Sequence, residues 1–307
     1  MGLKMITRRK AVDRHRHSRP QARPVSVAQS RKARKGEKRR RMAQIFGILN
    51  ITADSFSDGG DFLSPDAALA QAQKLIADGA HVLDVGPASS HPDAGNVSPD
   101  TEIARLSAIW PDLQKLGAPI SVDSFQPATQ RWAMAQGAAW LNDINGFAEP
   151  SLYNELADYD GQLVLMHAIQ AKGIATREEP PQGDIWPHIL RFFETRLEAL
   201  QKAGVGREKI TLDPGMGFFL GNKPETSLEV LGGLHRLKVE FGLPVLVCMS
   251  RKSFLRALAD ISVAESGPIS LAAEMLALAQ GVDYIRTHDA RQLTHALLLR
   301  HHLGTNI

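Results

Sequence analysis

The chain has 307 residues, of which 43% are hydrophobic and 22% are charged. That length fits one large domain or two modest ones, and the composition is ordinary for a globular protein. No window of about eighteen uninterrupted apolar residues occurs, which excludes a transmembrane helix and predicts no membrane partner. The single cysteine excludes a disulfide framework and a zinc site built on several thiolates.

Charge is divided unevenly along the chain. Residues 1–42 contain sixteen Lys and Arg against two acids, Asp13 and Glu37, whereas the rest contains twenty against thirty-one. The two parts therefore carry net charges of about +14 and about −11. An acidic body argues against a nucleic-acid surface, so no nucleic-acid partner is expected for it.

Residues 1–42 are nearly free of large apolar side chains and cannot bury enough surface to offset their ordering entropy. We predict a disordered basic tail there and one domain over residues 43–307. The tail is interpreted as a nucleic-acid-binding arm or, as we favour, an over-long gene start with translation beginning at Met42. A transit peptide fits its Arg-rich composition but not its poor helical amphipathicity. With no secretory signal, a cytoplasmic protein is expected.

After Met42, short aliphatic runs alternate with longer amphipathic stretches. Strands are predicted at Ile45–Leu49, His81–Val85, Ile120–Val122, Trp140–Asn142, Leu163–Met166, Ile210–Leu212, Val245–Val247 and Tyr284–Thr287. Helices are predicted at Ala67–Asp78, Asp100–Leu116, Pro127–Gln136, Pro187–Ala203, Thr226–Phe241 and Ser270–Gln280. Eight such strands in about 250 residues are typical of an α/β fold of the TIM (β/α)8 barrel class. An open doubly wound sheet is the alternative, but no G-x-G-x-x-G follows the first strand.

A polar residue stands at the carboxyl end of every predicted strand. In chain order these residues are Asn50, Asp84, Asp123, Asn142 with Asp143, His167, Asp213, Ser250 and His288. In a barrel all strand ends converge on the face that carries the chemistry. Any one of them could cap the following helix, but capping does not account for all eight. The pattern therefore predicts one functional face.

The acceptor groups on this face are three carboxylates, Asp84, Asp123 and Asp213, and two amides, Asn50 and Asn142. A carboxylate can accept two N–H donors in one bidentate contact. The set is therefore suited to a heterocycle rich in N–H donors and ring nitrogens.

The cations on the same face are Arg251, Lys252 and Arg286, with His288 nearby. They would hold an anion such as a phosphate, and the segment from Ser250 to Ser253 is expected to open a helix whose free N–H groups favour anions. A Mg²⁺ that bridges a substrate phosphate fits this face better than a transition metal, because Mg²⁺ needs only one or two protein ligands.

Two long polar segments, residues 52–60 and 87–95, follow the first two predicted strands. Long loops at an active face are often lids that exclude water, although a plain connection is the commoner role of any single loop. We interpret the two segments as a first and a second lid.

Several motifs together resemble those of dihydropteroate synthases. The run from Gly47 to Gly60 resembles the first signature of that family, and Asp213–Phe218 and Ser250–Phe254 resemble two more. Asp123-Ser124, Asn142-Asp143, Met166-His167 and Arg286-Thr287-His288 occur in the family's order and at its spacings. The resemblance covers residues 43–300, which is nearly everything beyond the tail.

The resemblance implies a TIM barrel that joins 6-hydroxymethyl-7,8-dihydropterin diphosphate to p-aminobenzoate and releases diphosphate. It also implies Mg²⁺ as the cofactor, two small-molecule substrates as partners, and a homodimer. A related pterin-binding methyltransferase is the alternative within this fold, and it would not need the anion site at Ser250–Ser253. A non-catalytic protein that binds through its tail is the alternative from another class.

The resemblance assigns the following residues. The pterin would be bound by Asp123, Asn142, Met166, Asp213 and Lys252, and the diphosphate by Asn50, Ser90, Arg286 and His288, with Asn50 as the Mg²⁺ ligand. The p-aminobenzoate would be bound by Phe56, Arg251, Ser253 and, in this chain, Phe218. The catalytic residues would be Asp58, Lys252, Arg286 and His288.

The chain departs from the usual chromosomal pattern in three places. Ser89–Asp93 lacks the lid arginine of Ser-Thr-Arg-Pro-Gly, Pro87-Ala88 replaces Gly-Glu, and Gly217–Gly221 replaces Gly-Phe-Gly-Lys with a longer run. These departures resemble the mobile, sulfonamide-insensitive branch of the family. An added aromatic, with Phe218 favoured over Phe219, would admit a planar carboxylate and clash with a bulkier sulfonamide.

Overall fold

The computed structural model describes residues 43–52, 64–170 and 172–303, together with Gly2. Almost all of the basic tail lies outside these residues, so its disorder and the domain boundary at residue 43 stay predictions. Most of the first lid, including Phe56 and Asp58, also lies outside the described residues.

In the described part of the chain, strands and helices alternate. The strands are β1 Gln44–Asn50, β2 Val82–Gly86, β3 Ile120–Asp123, β4 Trp140–Asp143, β5 Gln162–Met166, β6 Ile210–Asp213, β7 Leu246–Cys248 and β8 Tyr284–Thr287. The helices are α1 Pro65–Ala77, α2 Pro99–Lys115, α3 Pro127–Ala135, α4 Tyr153–Asp158, α5 Trp186–Lys202, α6 Pro224–Gly232, α7 His235–Phe241, α8 Ser253–Ala259, α9 Gly267–Ala279 and α10 Ala290–Leu303. None of these helices is both long and apolar enough to cross a membrane.

The strands form one parallel sheet in the order β6-β5-β4-β3-β2-β1-β8-β7. A parallel bridge between Leu212 in β6 and Val245, just before β7, joins the two edges of the sheet. The Leu212 N–H also donates to the Pro244 carbonyl at 2.9 Å. The sheet is therefore closed, and the predicted TIM barrel is confirmed.

Side chains along each strand alternate between the barrel interior and the surrounding helices. At the amino ends of the strands, the inward-facing residues form an apolar cluster, which we call the apolar floor: Phe46, Val82, Trp140, Val164 and Leu246. The Phe46 and Trp140 rings meet edge to face with centroids 5.1 Å apart. Because this cluster fills the amino end of the barrel, a ligand can enter the interior only from the carboxyl end.

Three helical regions differ from the prediction. The predicted helix Thr226–Phe241 is interrupted between α6 and α7 at Gly233, where an added Cβ would lie 2.7 Å from a ring carbon of Trp186. The break lets this indole pack against the backbone. The helices α4 and α10 were not predicted. No side chain caps the start of α4. Asp289 does cap α10, because its Oδ1 accepts a hydrogen bond from the Gln292 N–H at 3.1 Å, and this signal was missed in the sequence.

Candidate active site

Above the apolar floor, the next inward-facing positions are polar. Asp84 follows Val82 by two residues and Asn142 follows Trp140 by two, so strand alternation places both side chains inside the barrel. The register pairs Asp123 with Asn142 and thereby sets their side chains at the same height. We call this set the polar layer: Asp84, Asp123, Asn142, Asp213 and Arg286.

Two of the predicted strand-end residues face away from the interior, because each stands one position beyond an inward-facing residue. Asp143 accepts a hydrogen bond from Gln130 Nε2 at 2.9 Å, on the helical side of the sheet. His167 Nδ1 lies 3.0 Å from the Pro214 carbonyl oxygen, and its ring packs edge to face on Phe192 at 5.1 Å. The expectation that all eight strand ends converge on one site is wrong for these two.

Arg286 is the positive charge at the centre of the polar layer. Its Nε donates to Asp84 Oδ2, and its Nη2 donates to Asp123 Oδ2 at 2.6 Å. The Arg286 side chain is 16% exposed and that of Asp84 is fully buried. Arg286 therefore connects the predicted diphosphate site with the predicted pterin site.

Burial raises the pKa of two carboxyl groups in the polar layer. Desolvation raises the pKa of Asp123 to about 7, although the nearby Arg286 opposes the rise. Desolvation likewise raises the pKa of Asp213 to about 6, although the Gly215 N–H donates to it at 2.8 Å. Further N–H donors would stabilise the charged form of both groups.

Two acceptor atoms of the polar layer, Asp84 Oδ1 and Asn142 Oδ1, are buried and have no hydrogen-bond partner among the described residues. Leaving a buried acceptor unsatisfied costs about 1–3 kcal/mol. A bound molecule that presents several N–H donors to this layer would remove that cost. A donor-rich ring would therefore complement this layer.

A cleft of about 250 Å³ opens beside the polar layer at the carboxyl end of the barrel. The predicted site residues that line it are Asn50, Ser90, Asp123, Phe218, Arg251, Lys252, Ser253, Arg286 and His288. Phe219 and Cys248 line it as well. Nine of the predicted residues, spread between Asn50 and His288 in the sequence, are therefore brought to one place, whereas Asn142, Met166 and Asp213 are not among the described residues that line the cleft.

The segment after β7 forms the cationic edge of the cleft. Arg251 adopts φ of 61°, which is uncommon for a residue other than glycine, and its N–H donates to Ser270 Oγ at 3.1 Å. The chain then enters α8 at Ser253, which confirms that this segment opens a helix. The turn places Arg251, Lys252 and Ser253 along the same wall.

His288 borders this edge from the end of β8. Its Nδ1 lies 3.0 Å from Ser250 Oγ, and its backbone N–H donates to the same oxygen at 3.2 Å. Burial, together with the charges of Arg251 and Arg286, lowers the pKa of His288 well below its usual value. The imidazole is therefore neutral at pH 7 and can hydrogen-bond to an anion without carrying charge.

The opposite wall is apolar. Met166 belongs to a buried cluster with Phe219, and Phe218 packs against that cluster from the cleft side. Lys252 Nζ lies 5.8 Å from the centroid of the Phe219 ring. A flat ring bound above the polar layer would therefore meet Met166 on one side and the Lys252 cation on another.

Gly215 explains why the motif after β6 needs glycine. Its φ is +74°, and a Cβ at this position would lie 1.9 Å from the His167 carbonyl oxygen. Gly217, with φ of +81°, lets the Lys252 side chain lie against its Cα, since an added Cβ would be 3.2 Å from Lys252 Cδ. The two glycines therefore fix Asp213, Phe218 and Lys252 relative to one another.

The second lid, residues 87–95, is attached to the loop between β5 and α5. The Ala175 N–H donates to the Ser90 carbonyl at 3.1 Å. Arg177 in the same loop pairs with Asp93 of the lid. We did not anticipate Arg177 from the sequence, because it lies 84 residues from Asp93 in a loop without a motif.

The match to known proteins covers nearly all of this domain. The model of the family described as pterin-binding enzyme matches residues 46–288. The dihydropteroate synthase type-2 of Escherichia coli is 55% identical over 253 residues, which are 82% of this chain and 93% of that protein. The chain belongs to the dihydropteroate synthase family. The dihydropteroate synthase type-1 of Escherichia coli is 49% identical over 257 residues, 83% of this chain and 92% of that one.

Identity to the dihydropteroate synthase of Bacillus subtilis is 36% over 253 residues, 81% of this chain and 84% of that protein. The greater similarity to the numbered types confirms the branch that the motif departures indicate.

Solved dihydropteroate synthase structures share the fold. The Xanthomonas albilineans enzyme with 4-aminobenzoic acid superposes with a TM-score of 0.78 at 31% identity, covering 86% of this chain and 94% of that one. The Yersinia pestis enzyme in a sulfonamide drug complex gives a TM-score of 0.79 at 33% identity, with the same coverage of 86% and 94%.

Proposed function

We propose that the chain condenses 6-hydroxymethyl-7,8-dihydropterin diphosphate with p-aminobenzoate in the cleft at the carboxyl end of the barrel. The observation that carries this proposal is the juxtaposition of a buried layer of acceptor oxygens with a cationic edge. The layer suits the amino-pyrimidinone ring, and the edge suits the diphosphate. A pterin-binding methyltransferase would use the layer of acceptor oxygens but would not need the cationic edge.

The pterin would lie on the polar layer, with its N–H groups directed to Asp123, Asn142 and Asp213. Support comes from the buried Asn142 Oδ1, which has no partner among the described residues, and from the raised pKa of both carboxyl groups. Met166 would support one face of the ring, and Lys252 would donate to a ring nitrogen or the carbonyl oxygen.

The diphosphate would lie between Ser90, Arg286 and His288, with Mg²⁺ held by the amide oxygen of Asn50. The donor set fits this ion: Asn50 lines the cleft, and the described residues contain no cluster of three or more His, Cys, Asp or Glu that could hold a metal alone. Mg²⁺ accepts such a site because phosphate oxygens and water complete its coordination. When bound, it would neutralise charge on the departing diphosphate.

The chemistry requires separation of charge. As the bond between the pterin methylene and the diphosphate oxygen breaks, Arg286 and His288 would stabilise the leaving anion, and Lys252 would keep the ring in place. Asp58, which lies outside the described residues, would stabilise the developing positive charge on carbon when the first lid covers the site. The arylamine nitrogen then forms the new bond and loses its proton, and it needs no strong base.

The p-aminobenzoate would lie at the mouth of the cleft, with its carboxylate toward Arg251 and Ser253 and its ring near Phe218 and Phe56. Phe218 is half-buried and lines the cleft, and Phe219 is buried behind it against Met166. The planar carboxylate would pass the Phe218 ring, whereas the tetrahedral sulfonyl group of a sulfonamide would overlap with it. The chain would therefore be a sulfonamide-insensitive enzyme.

A homodimer is the proposed assembly. Helix α9 packs against both α8 and α10. Large apolar side chains are exposed on these three helices: Leu258, Leu276, Leu298, Leu299 and Leu303. Several such side chains on adjoining helices are typical of a protein interface. A second copy of the chain would cover them.

The test of the reaction is diphosphate release from the purified chain. Release should require both the pterin diphosphate and p-aminobenzoate and should yield 7,8-dihydropteroate in equal amount. Release without p-aminobenzoate, or transfer of a methyl group from a folate in the same assay, would contradict the proposal.

The test of sulfonamide insensitivity is Phe218→Gly. Relief of steric overlap should lower the sulfonamide inhibition constant about ten- to a hundred-fold while the KM for p-aminobenzoate changes much less. Phe192→Leu is the control, because Phe192 packs on His167 outside the cleft. An unchanged inhibition constant in Phe218→Gly would remove this role from Phe218.

A further inference from the structure

Arg177 and Asp93 form a two-pronged ion pair at the rim of the cleft. Arg177 Nη1 donates to Asp93 Oδ1 at 2.6 Å, and Nη2 donates to Oδ2 at 2.5 Å. Both side chains are 54% exposed. The hydrogen bond from Arg177 holds the pKa of Asp93 below its usual value, so the carboxylate is ionised at pH 7. Paired N–H donors fix the plane of a guanidinium in a way that a single contact cannot.

The same guanidinium lies over Phe218. The distance from Arg177 Cζ to the Phe218 ring centroid is 5.7 Å, which is within the range of a cation–π contact. The His91 ring of the second lid meets the Phe218 ring edge to face, with centroids 5.9 Å apart. Phe218 is therefore contacted from two different loops.

The backbone that carries Arg177 is held from both sides. On one side, the Ala175 N–H donates to the Ser90 carbonyl of the lid at 3.1 Å. On the other, Asn222 Nδ2 donates to the Arg177 carbonyl at 3.1 Å, and the Asn222 N–H donates to the Glu178 carbonyl at 2.9 Å. The loop is thus bonded to the lid before it and to the chain after Phe218.

We propose that Arg177 is a positioning residue for substrate discrimination, which locks the Phe218 ring and the second lid into one wall of the p-aminobenzoate site. This inference rests on the proposed role of Phe218. A free Phe218 ring could rotate away from a sulfonyl group, whereas contacts with Arg177 and His91 favour one position of the ring. Arg177 is not among the described residues that line the cleft, so its effect is expected in selectivity and not in the chemical step.

The experiment compares Arg177→Met with the parent enzyme and with Lys223→Met. Lys223 is a matched control, because it is also 54% exposed, is paired with a carboxylate (Glu179) near the same rim, and has no contact with Phe218 among those the structure records. Arg177→Met should lower the sulfonamide inhibition constant about three- to ten-fold, with kcat unchanged. Arg177→Lys keeps the charge without the flat fork and should give an intermediate value.

A second arm places Arg177→Met in the Phe218→Gly background. If Arg177 acts through Phe218, the added change should have no further effect on the sulfonamide inhibition constant. A further decrease in the sulfonamide inhibition constant, or a raised KM for p-aminobenzoate, in the double variant would mean that Arg177 contacts substrate directly. Either result would overturn the inference. The single variant Phe218→Gly separates the proposed role of Phe218 from that of Arg177. If Phe218→Gly lowers the sulfonamide inhibition constant and Arg177→Met does not, only the role of Arg177 is contradicted. Melting temperatures within the range of the Lys223→Met control exclude a folding defect.

Discussion

Asp213 is buried and the Asp123 side chain is 14% exposed, and the proposed partners of both carboxyl groups are the N–H groups of the pterin. Replacing either by asparagine removes the charge and introduces a donor where an acceptor is needed. A buried hydrogen bond to a charged group contributes about 2–3 kcal/mol, so Asp123→Asn and Asp213→Asn should each lower kcat/KM roughly 30- to 150-fold. Asp112→Asn is the control, since Asp112 is half-exposed and forms an ion pair with Lys115 away from the cleft. Near-normal kcat/KM in both variants would sink the pterin assignment.

Asn50 is the one protein ligand proposed for Mg²⁺, and a single amide binds Mg²⁺ poorly without phosphate oxygens. Calorimetry should therefore show weak Mg²⁺ binding to the protein alone and tighter binding when the pterin diphosphate is present. Asn50→Ala should weaken Mg²⁺ binding only when the pterin diphosphate is present. Asn222→Ala, at an exposed position, should leave Mg²⁺ binding unchanged with or without the pterin diphosphate. Tight binding of Mg²⁺ to the protein alone would contradict the assignment.

Glu274 in α9 lies outside the cleft and is 2% exposed. Burial raises the pKa of its carboxyl group to about 8, and Oε1 has no hydrogen-bond partner among the described residues. A folded-state pKa above the unfolded one means that the contribution to stability is present at low pH and is lost as pH rises through about 8.

Glu274→Gln should therefore raise the melting temperature at pH 9 more than at pH 5, because it removes a charge that the wild-type protein must bury. The difference between the two pH values is the measurement. An equal shift in melting temperature at pH 5 and pH 9 would show that the folded protein does not bury the ionised carboxylate of Glu274.

At the residue scale, much of the site could be predicted from the sequence. Inward-facing residues such as Asp84 and Asn142 each follow an apolar residue by two positions, and strand alternation is a local rule. Asp143 and His167 could not be placed, because the side they face depends on the last strand residue, and an error of one residue reverses it. The pair of Arg177 with Asp93 joins exposed loops far apart in the chain, and no local pattern marks such a contact.

At the element scale, the interruption between α6 and α7 was missed because both halves have helical periodicity. Two adjacent glycines test its cause. A Cβ at Gly233 would lie 2.7 Å from Trp186, whereas nothing lies within 4 Å of one at Gly232. Gly233→Ala should destabilise the protein by about 1–3 kcal/mol through overpacking, and Gly232→Ala should be neutral or stabilise it by up to about 1 kcal/mol.

Chemical denaturation of both variants measures these differences. Similar stabilities would show that Trp186 can move aside and that the break has another origin.

The positions of the strands were predicted more closely than those of the helices, because the buried parallel strands are short aliphatic runs bounded by polar residues.

At the scale of the whole molecule, the described residues that line the cleft all lie beyond residue 42, and their strands are spread over the entire barrel. Removal of residues 2–41 should therefore leave kcat/KM and the melting temperature unchanged. Steady-state assays of the shortened chain check this. Loss of activity would give the basic tail a part in catalysis, and an unchanged activity would dismiss the hypothesis of a binding protein that acts through its tail.

The apolar floor also gives the enzyme an optical reporter. Trp140 lies two residues before Asn142 on β4, and two strand residues span about 7 Å. A pterin bound at Asn142 would thus be near enough to the indole to take up its excitation energy. Quenching of tryptophan fluorescence should then follow pterin binding without any label, and Trp140→Phe identifies the part of the signal that comes from the floor.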